Sequence, residues 1–284
     1  PLFRDYVAYE AEQRAKAKTA AHWNMKEVPS ALPRLYGFRG LETASQSLRV
    51  PVDMGLERTE QLRARTTIKE LRAWTPHATL FNVFVTTLFA YLFRASGLRQ
   101  LAIGSPAHNR AKPVFKETPG VFIELFPLAI EIEEGDTFLS LYKKVRTEVN
   151  SFLMQGQPGA STAELSRSFG AVLNYIHAGF PVVDGLEMQS HWVHAGHCDP
   201  RHHVRMQVYD FDQTGEMQIY FDLNVDVFDE TLRDQAPDHY LSILDAFIAD
   251  RDQFLVAPAL TAEAEQKQWL KGFNAAVSTS APSL

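Results

Sequence analysis

The sequence predicts a mixed α/β fold in which helices flank a mixed, largely antiparallel sheet. Apolar strand-like segments alternate with amphipathic helical segments along the chain, without internal repeats. The segment "DTFLSLYKKVRTEVNSFL" (136–153) places apolar residues at helical spacing, behind Asp136 or Thr137 as a cap. The segments 203–211 and 217–225 flank "DQTG", which is typical of a β-hairpin.

The first half of the chain is predicted to begin with helices and irregular connections. Residues 3–23 predict a charged surface helix, and the Pro- and Gly-rich residues 28–56 predict a connection with short strands. Ile68, Leu71 and Trp74 predict a short amphipathic helix. The elements expected next are a buried helix (78–95), a strand (100–105), a turn (106–119) and a second strand (120–132).

The second half is predicted to complete the sheet and to end in a linker. After the helix at 136–153, we expect strands at 171–176, 187–193, 203–211 and 217–225, and a final helix around 240–248. The tail from Ala257 onward is rich in Pro and Ala, which is typical of a linker. The sequence therefore predicts one lobe over residues 1–256 and a linker over 257–284.

The composition is that of an ordinary globular protein and disfavours several classes of partner. The 284 residues are 45% apolar and carry a net charge of −6 without a run of Lys or Arg. A nucleic-acid partner would require a clustered basic face. The single cysteine, Cys198, excludes an intrachain disulfide and suits a reducing cytoplasm. The densest apolar stretch (80–93) is shorter than a bilayer span of ~20 residues, so we expect a buried core helix and no membrane partner.

Two apparent chemical motifs are interpreted as structural. The segment "HWVHAGHCDPRHH" (191–203) is dense in zinc-ligand residue types, but its spacing matches no familiar zinc pattern. We interpret it as a polar loop and predict no metal site. Cys198 lacks a recognisable base and oxyanion site, so it is not predicted to be a nucleophile. Phosphate-loop, nucleophile-elbow and dinucleotide motifs do not occur in the sequence.

Asn174 and Arg110 are the polar residues whose surroundings raise a functional question. Asn174 lies within the apolar strand "VLNYI", where its amide is either satisfied in the core or lines a cavity. Arg110, next to Asn109, follows an apolar strand and a Gly-Ser-Pro turn. It is either a surface turn residue or a half-buried guanidinium paired with a carboxylate, because an unpaired buried charge is costly.

Several motifs in order resemble the condensation domains of nonribosomal peptide synthetases, within the chloramphenicol acetyltransferase-like superfamily. "LFRDYVAYEAEQ…AAHW" resembles the family's Y-x-D-Y-x-x-W segment, and "GSPAHNR" its G-x-P-x-x-x-R turn. "TPGVFIELFPLAI" resembles the G-x-F-x-N-x-x-P-L strand, with Glu124 in place of the family's Asn. "VLNYI" and "DLNVDVFDE" resemble two later segments, and "LTAEAEQKQWLKGFNAA" resembles the linker to an adenylation domain. The Q-x-x-P-F-E region is shortened to "QGQPGASTAELSRSFG".

The resemblance implies a role in amide-bond formation between carrier-bound thioesters. In the family, two similar lobes enclose a tunnel that phosphopantetheine arms enter, and the catalytic HHxxxDG motif belongs to the N-terminal lobe. The one His-His pair in this sequence, His202–His203, does not fit that motif. The resemblance therefore identifies the chain as a C-terminal lobe without catalytic residues, which we expect to be inactive alone. Its implied partners are an N-terminal lobe, carrier proteins and an adenylation domain.

The resemblance also assigns roles to particular residues. Asn174 and Glu124 would line the tunnel, whereas Arg110 and Asn109 would support the active site. Arg110 is expected to pair across the lobes with the aspartate of HHxxxDG and to be unpaired within this chain. Three alternatives stay open: an epimerisation-type domain, a free-standing acyltransferase, and a non-catalytic docking platform for carrier or adenylation domains.

Overall fold

A computed structural model gives the fold of the protein. It describes residues 1–15, 22–23, 26–29, 31–40, 43–110, 112–179, 184–186, 192–211, 215–261, 265 and 267. The helices are α1 (Phe3–Arg14), α2 (Gly55–Arg65), α3 (Pro76–Ser96), α4 (Phe138–Gln155) and α5 (Glu230–Ala249). The strands are β1 (Ser47–Asp53), β2 (Gln100–Ala107), β3 (Glu124–Glu131), β4 (Ala171–Ala178), β5 (Val204–Phe211) and β6 (Met217–Asn224).

The six strands form one mixed sheet in the order β1-β6-β5-β4-β2-β3. The pairs β1–β6, β6–β5 and β2–β3 are antiparallel, whereas β5–β4 and β4–β2 are parallel. The predicted hairpin is present as β5–β6, although residues 212–214 of its turn lie outside the described residues. The predicted mixed α/β architecture is therefore confirmed.

Helix α3 forms the centre of the core, and its ends follow from its sequence. The Thr75 hydroxyl oxygen accepts a hydrogen bond from Ala78 N at 3.0 Å, Pro76 occupies the first turn, and Gly97 ends the helix with φ 73°. Among the described helices, α3 alone is long and apolar enough to cross a bilayer, but most of its surface is buried inside the protein. It is the predicted core helix.

Helix α4 also begins where the sequence predicts. Thr137, not Asp136, is the cap: its Oγ1 accepts from Ser140 N at 3.2 Å, while Ser140 Oγ accepts from Thr137 N at 2.9 Å. The predicted apolar stripe is buried throughout and consists of Phe138, Leu141, Tyr142, Val145, Val149 and Phe152.

One predicted helix is absent from its segment, and one predicted strand lies mostly outside the described residues. The predicted helix around Ile68, Leu71 and Trp74 is wrong, because this segment forms turns and leaves 70% of Trp74 exposed. The helix lies earlier, at α2, where Gly55 N donates to Asp53 Oδ1 at 3.0 Å. In the predicted strand 187–193, residues 187–191 lie outside the described residues, and 192–193 are irregular.

The two faces of the sheet are covered differently. Helices α2 to α5 pack on one face, where alternate strand residues such as Ile103, Leu173 and Phe221 enter the main core. On the other face, the Phe169 ring packs against Ala102 of β2 and Val172 of β4. A Cβ atom at Gly104 would lie 2.2 Å from that ring, so only glycine permits this contact. The rest of this second face carries mostly polar side chains, and we call it the open face. Its main members are Arg49, Asn174, Arg205, Gln207, Tyr209, Tyr220 and Asp222.

The chain beyond α5 is fastened to the lobe by buried polar contacts. Arg94 Nη1 donates to the carbonyl oxygens of Leu255 and Pro258 at 2.9 and 2.8 Å. Further on, Glu265 Oε2 lies 3.0 Å from His239 Nε2, and both side chains are almost fully buried. Most of the predicted linker 257–284 lies outside the described residues. The boundary at residue 256 stays a prediction.

Candidate active-site face

The open face is organised around a buried carboxylate. Asp222 on β6 is 1% exposed and accepts both Arg49 Nε (2.7 Å) and Arg49 Nη2 (3.0 Å) from the neighbouring strand β1. Gln207 on β5 donates its Nε2–H to Asp222 Oδ2 at 2.9 Å. The register makes these contacts unavoidable, because Arg49 and Asp222 are directly opposite each other. A planar guanidinium suits such bidentate pairing.

Aromatic and imidazole side chains surround this ion pair. The rings of Tyr209 and Tyr220 lie 4.8 Å apart, and the Arg49 guanidinium lies 5.1 Å from the Tyr220 ring. The His194 Nδ1 atom lies 3.6 Å from Asp222 Oδ1. Burial raises the pKa of Tyr209 to about 12, although Arg49 opposes the shift. The Tyr209 phenol therefore stays protonated at neutral pH and serves as a hydrogen-bonding group.

Asn174 and Arg205 are the incompletely satisfied members of the open face. Leu173 and Met206 enter the main core, so their strand neighbours Asn174 and Arg205 lie on the opposite side. Asn174 Oδ1 and Arg205 Nε are both buried and have no hydrogen-bond partner among the described residues. An acceptor and a donor are thus left on adjacent strands of one face, which is the composition of a polar ligand site.

Arg110 binds main-chain oxygens of its own loop. Its Nη1 donates to the carbonyl oxygens of Phe115 (3.1 Å), Lys116 (3.3 Å) and Thr118 (2.8 Å), and its Nη2 donates to that of Gly120 (3.0 Å). The guanidinium carbon also lies 3.9 Å from the Phe122 ring centroid. Among the described residues, carbonyl groups of the turn after Arg110 accept its hydrogen bonds, and no carboxylate is recorded as its partner. The expected pairing with an aspartate of another lobe stays a prediction.

Glu124 fixes a second loop to the end of the sheet. Its Oε2 accepts from Asn109 Nδ2 (2.7 Å) and from Gly159 N (2.8 Å), while its Oε1 accepts from Ser161 N at 3.4 Å. Burial raises the pKa of Glu124, although these hydrogen bonds oppose the shift. Asn109, in the left-handed region with φ 52°, also donates to Phe122 O at 3.0 Å. This carboxylate therefore holds together the three segments that meet at the ends of β2 and β3.

The sequence-predicted residues fall into two groups. Asn109, Arg110 and Glu124 meet at the ends of β2 and β3, whereas Asn174 lies on the open face of β4; no recorded hydrogen bond between described residues joins the two groups. Arg205 and Asp222 were not predicted from the sequence. Charged residues at alternate positions of otherwise apolar strands were the available signal.

The described histidines of the His-rich segment have separate partners. His191 lies outside the described residues. His194 contacts Ser47, with 3.1 Å between Nε2 and Oγ, and His197 Nδ1 lies 3.2 Å from Ser45 O. His202 and His203 are buried, and burial lowers the pKa of each. Cys198 Sγ is 3.5 Å from Asn224 Nδ2. The interpretation of this segment as structural stays a prediction.

Comparison with known proteins places the fold and its sequence in one family. A family model described as the condensation domain matches residues 1–270. A linear gramicidin synthase of Brevibacillus parabrevis is 26% identical over 212 residues, covering 69% of this chain and 4% of that protein. Phosphinothricin tripeptide synthetase PhsC of Streptomyces viridochromogenes is 35% identical over 94 residues, covering 33% of this chain and 9% of that protein. The chain therefore spans a small fraction of the curated relatives it matches.

Solved structures share the fold. The condensation domain of the Monacolin K polyketide synthase MokA superposes with a TM-score of 0.68 at 20% identity, covering 89% of this chain and 61% of that one. The first condensation domain of the calcium-dependent antibiotic synthetase, in complex with a substrate analogue, gives 0.69 at 18% identity and covers 90% of this chain and 57% of that one. The predicted chloramphenicol acetyltransferase-like fold is confirmed. Because the family model spans nearly all of its length, this chain belongs to the condensation-domain family.

Proposed function

We propose that this chain is the C-terminal lobe of a condensation domain that joins two carrier-bound thioesters through an amide bond. The observation that carries the proposal is the family match over residues 1–270, combined with coverage of about three fifths of the solved domains. Condensation domains sit beside carrier and adenylation domains in multidomain synthetases. The carrier proteins, their phosphopantetheine arms and a following adenylation domain are therefore the proposed partners.

The open face is the proposed tunnel wall. Its buried Asn174 Oδ1 and Arg205 Nε lack partners among the described residues. A phosphopantetheine arm and an aminoacyl group carry amide N–H and C=O groups that complement such an acceptor and donor. The ion pair between Arg49 and Asp222 would keep this wall rigid. Rate acceleration would come from positioning, since orientation of two tethered reactants supplies effective molarities of ~10⁵ M or more.

The proton-transfer group is assigned to a second lobe. The HHxxxDG motif does not occur in the 284 residues. Arg110 would act at the boundary between the two lobes. Its hydrogen bonds to the loop carbonyls use Nη1 and one N–H of Nη2. A guanidinium has five N–H groups, so the edge formed by Nε and Nη2 has N–H groups left for an aspartate of that lobe. Arg110 would thus order its own turn and position the catalytic loop.

Reconstitution from two separately expressed lobes tests the proposal. The purified chain is mixed with an N-terminal lobe from a matching synthetase and with two loaded carrier proteins, and the carriers are analysed by mass spectrometry. We expect an amide product in the mixture and none from either lobe alone, because general acid–base groups typically contribute 10²–10⁴-fold. A product from this chain alone would contradict the assignment of the proton-transfer group. If the two lobes bind each other but form no amide product, the result would favour the docking platform.

A matched pair of variants sharpens the same assay. Arg110→Lys keeps the charge but loses the planar fork, so we expect it to abolish most of the reconstituted activity. Arg99→Lys is the control, because Arg99 is 55% exposed in its ion pair with Glu134. Equal activity of both variants would contradict the role given to Arg110.

A further inference from the structure

A cluster of two histidines and one aspartate lies at the carboxyl ends of the parallel strands β4 and β5. His177 on β4 is directly opposite Asp210 on β5, and His77 reaches the same place from the first turn of α3. Within the described residues, these three side chains form the one group of at least three potential ligands whose donor atoms all lie within 4.8 Å of one another. The residues are far apart in sequence, so their spacing gives no metal-binding signal.

Both imidazoles face one oxygen of a buried carboxylate. The Nδ1 atoms of His77 and His177 each lie 3.7 Å from Asp210 Oδ2, and the aspartate side chain is 4% exposed. An ion placed about 2.0–2.2 Å from a nitrogen and an oxygen ligand spans a separation of this size. Each histidine nitrogen therefore lies at a distance from Oδ2 that a shared ion could bridge.

Both oxygens of Asp210 already accept hydrogen bonds, including Oδ2, which the imidazoles face. Arg63 Nη2 donates to Oδ1 at 3.0 Å, and the Tyr175 hydroxyl donates to Oδ2 at 2.6 Å. His177 Nδ1 also lies 3.0 Å from the Asp210 carbonyl oxygen. The hydrogen bonds from Arg63 and Tyr175 are of the kind that orient metal-binding carboxylates in known sites. The carbonyl oxygen can only accept, so His177 Nδ1 must give up its hydrogen bond to that oxygen when it binds an ion. The positive charge of Arg63 opposes a cation, which predicts a weaker site than an all-histidine centre.

The histidine rings have room to turn toward an ion. They stack with their centroids 3.7 Å apart and an interplanar angle of 23°. The nitrogen lone pairs of stacked rings lie in nearly parallel planes, so the rings must rotate relative to each other to point both lone pairs at one ion. His77 and His177 side chains are 46% and 31% exposed, which leaves the outer side of the cluster open to water and to that rotation.

We propose that His77, His177 and Asp210 bind one divalent ion of the Zn²⁺ class at this edge of the sheet. Two imidazoles and one carboxylate suit Zn²⁺ and the neighbouring late first-row metals better than Mg²⁺ or Ca²⁺, which prefer oxygen ligands. Water would complete the coordination. This inference does not depend on the proposed condensation role, since it rests on the geometry of the three side chains.

Titration of the chelator-treated, untagged chain with ZnCl₂ in a calorimeter tests the site. We expect one ion per chain, and a dissociation constant at least about tenfold higher in His77→Ala and in His177→Ala. His194→Ala is the matched control, because His194 also lies beside a buried aspartate but outside the cluster, and it should bind like the parent. Stoichiometric binding that survives the double variant His77→Ala/His177→Ala, or no binding at all by the parent, would overturn the proposal.

Co²⁺ substitution provides a readout that folding defects do not imitate. Bound Co²⁺ in a nitrogen- and oxygen-ligated site should give visible d–d absorption, which the double histidine variant should lose. Both histidines are exposed enough that their variants should fold, and far-ultraviolet circular dichroism checks this point. Visible absorption that persists in the folded double variant would locate the metal elsewhere and refute the site.

Discussion

The two faces of the sheet stabilise their buried side chains in different ways. On the helix-covered face, residues such as Phe221 are fully buried among apolar side chains, and their packing depends on complementary shape. One residue further along β6, Asp222 is equally buried on the open face, where it depends on Arg49 and Gln207. Packing of the apolar residues depends on filling volume, whereas the buried charge on the open face depends on ion-pair and hydrogen-bond partners. The Asn174 and Arg205 atoms that lack hydrogen-bond partners among the described residues lie on this open face.

Removal of the buried carboxylate should have the largest effect. Asp222→Ala leaves the largely buried Arg49 guanidinium without its acceptor, and we expect a loss of about 3–5 kcal/mol in the free energy of unfolding. Asp245→Ala is a matched control: Arg58 pairs with Asp245 at the same distances of 2.7 and 3.0 Å, but Asp245 is 50% exposed. The control should lose less than about 1 kcal/mol. Urea denaturation measures both, and similar losses would contradict the contrast between burial and exposure.

Overpacking of the covered part of the second face should be the next largest effect. Gly104→Ala places a methyl group 2.2 Å from the Phe169 ring, and we expect a loss of about 1–3 kcal/mol. Gly135→Ala is the control, since a Cβ atom there meets nothing within 4 Å. Phe169→Leu should recover part of the loss in the Gly104→Ala background. Thermal unfolding that leaves Gly104→Ala as stable as Gly135→Ala would mean that the ring moves freely.

The half-buried carboxylate of Glu124 should make the stability depend on pH. Glu124 accepts hydrogen bonds without a cationic partner among the described residues, and burial raises its pKa above the ordinary 4.5. A raised folded-state pKa means that its contribution to stability is complete below that ordinary value and is lost as the pH rises through the folded-state pKa. Glu124→Gln should therefore flatten the decline in stability above pH 4.5. Glu134→Gln, at an 87% exposed side chain, should leave the profile unchanged. A parallel decline in the parent and in Glu124→Gln would contradict this assignment.

The smallest effect on stability is expected at the unsatisfied amide. Asn174→Ala removes an acceptor that has no partner among the described residues, so the free energy of unfolding should change by no more than about 0.5 kcal/mol. The same variant should lower amide formation in the reconstituted assay if the amide contacts substrate. Denaturation and product analysis separate the two properties. A loss of stability above about 1 kcal/mol with unchanged activity would make Asn174 a structural residue.

Most helices and strands could be predicted from the sequence, but the partners of the polar side chains could not. The buried stripe of α4 and the Thr75 and Gly97 ends of α3 follow from local periodicity and capping, so these helices were predictable. The position of Arg110 after a strand marked it as a candidate site residue. Its hydrogen-bond acceptors could not be predicted, because the conformation of the turn decides which carbonyl groups converge on it. The cluster of His77, His177 and Asp210 was invisible, since the sheet order that joins its members is a property of the whole fold.

The pairing of β1 with β6 also sets an order of events during synthesis. Ser47 lies opposite Asn224, so nearly the whole sheet-forming chain separates the two strands in sequence. Such distant pairing requires closure of a long loop, which slows folding far more than it affects the final stability. On a ribosome, β1 would emerge early and wait with unpaired main-chain groups until β6 arrives. The polar residues and Pro51 of β1 would then protect a waiting strand from wrong partners as well as serving the finished sheet.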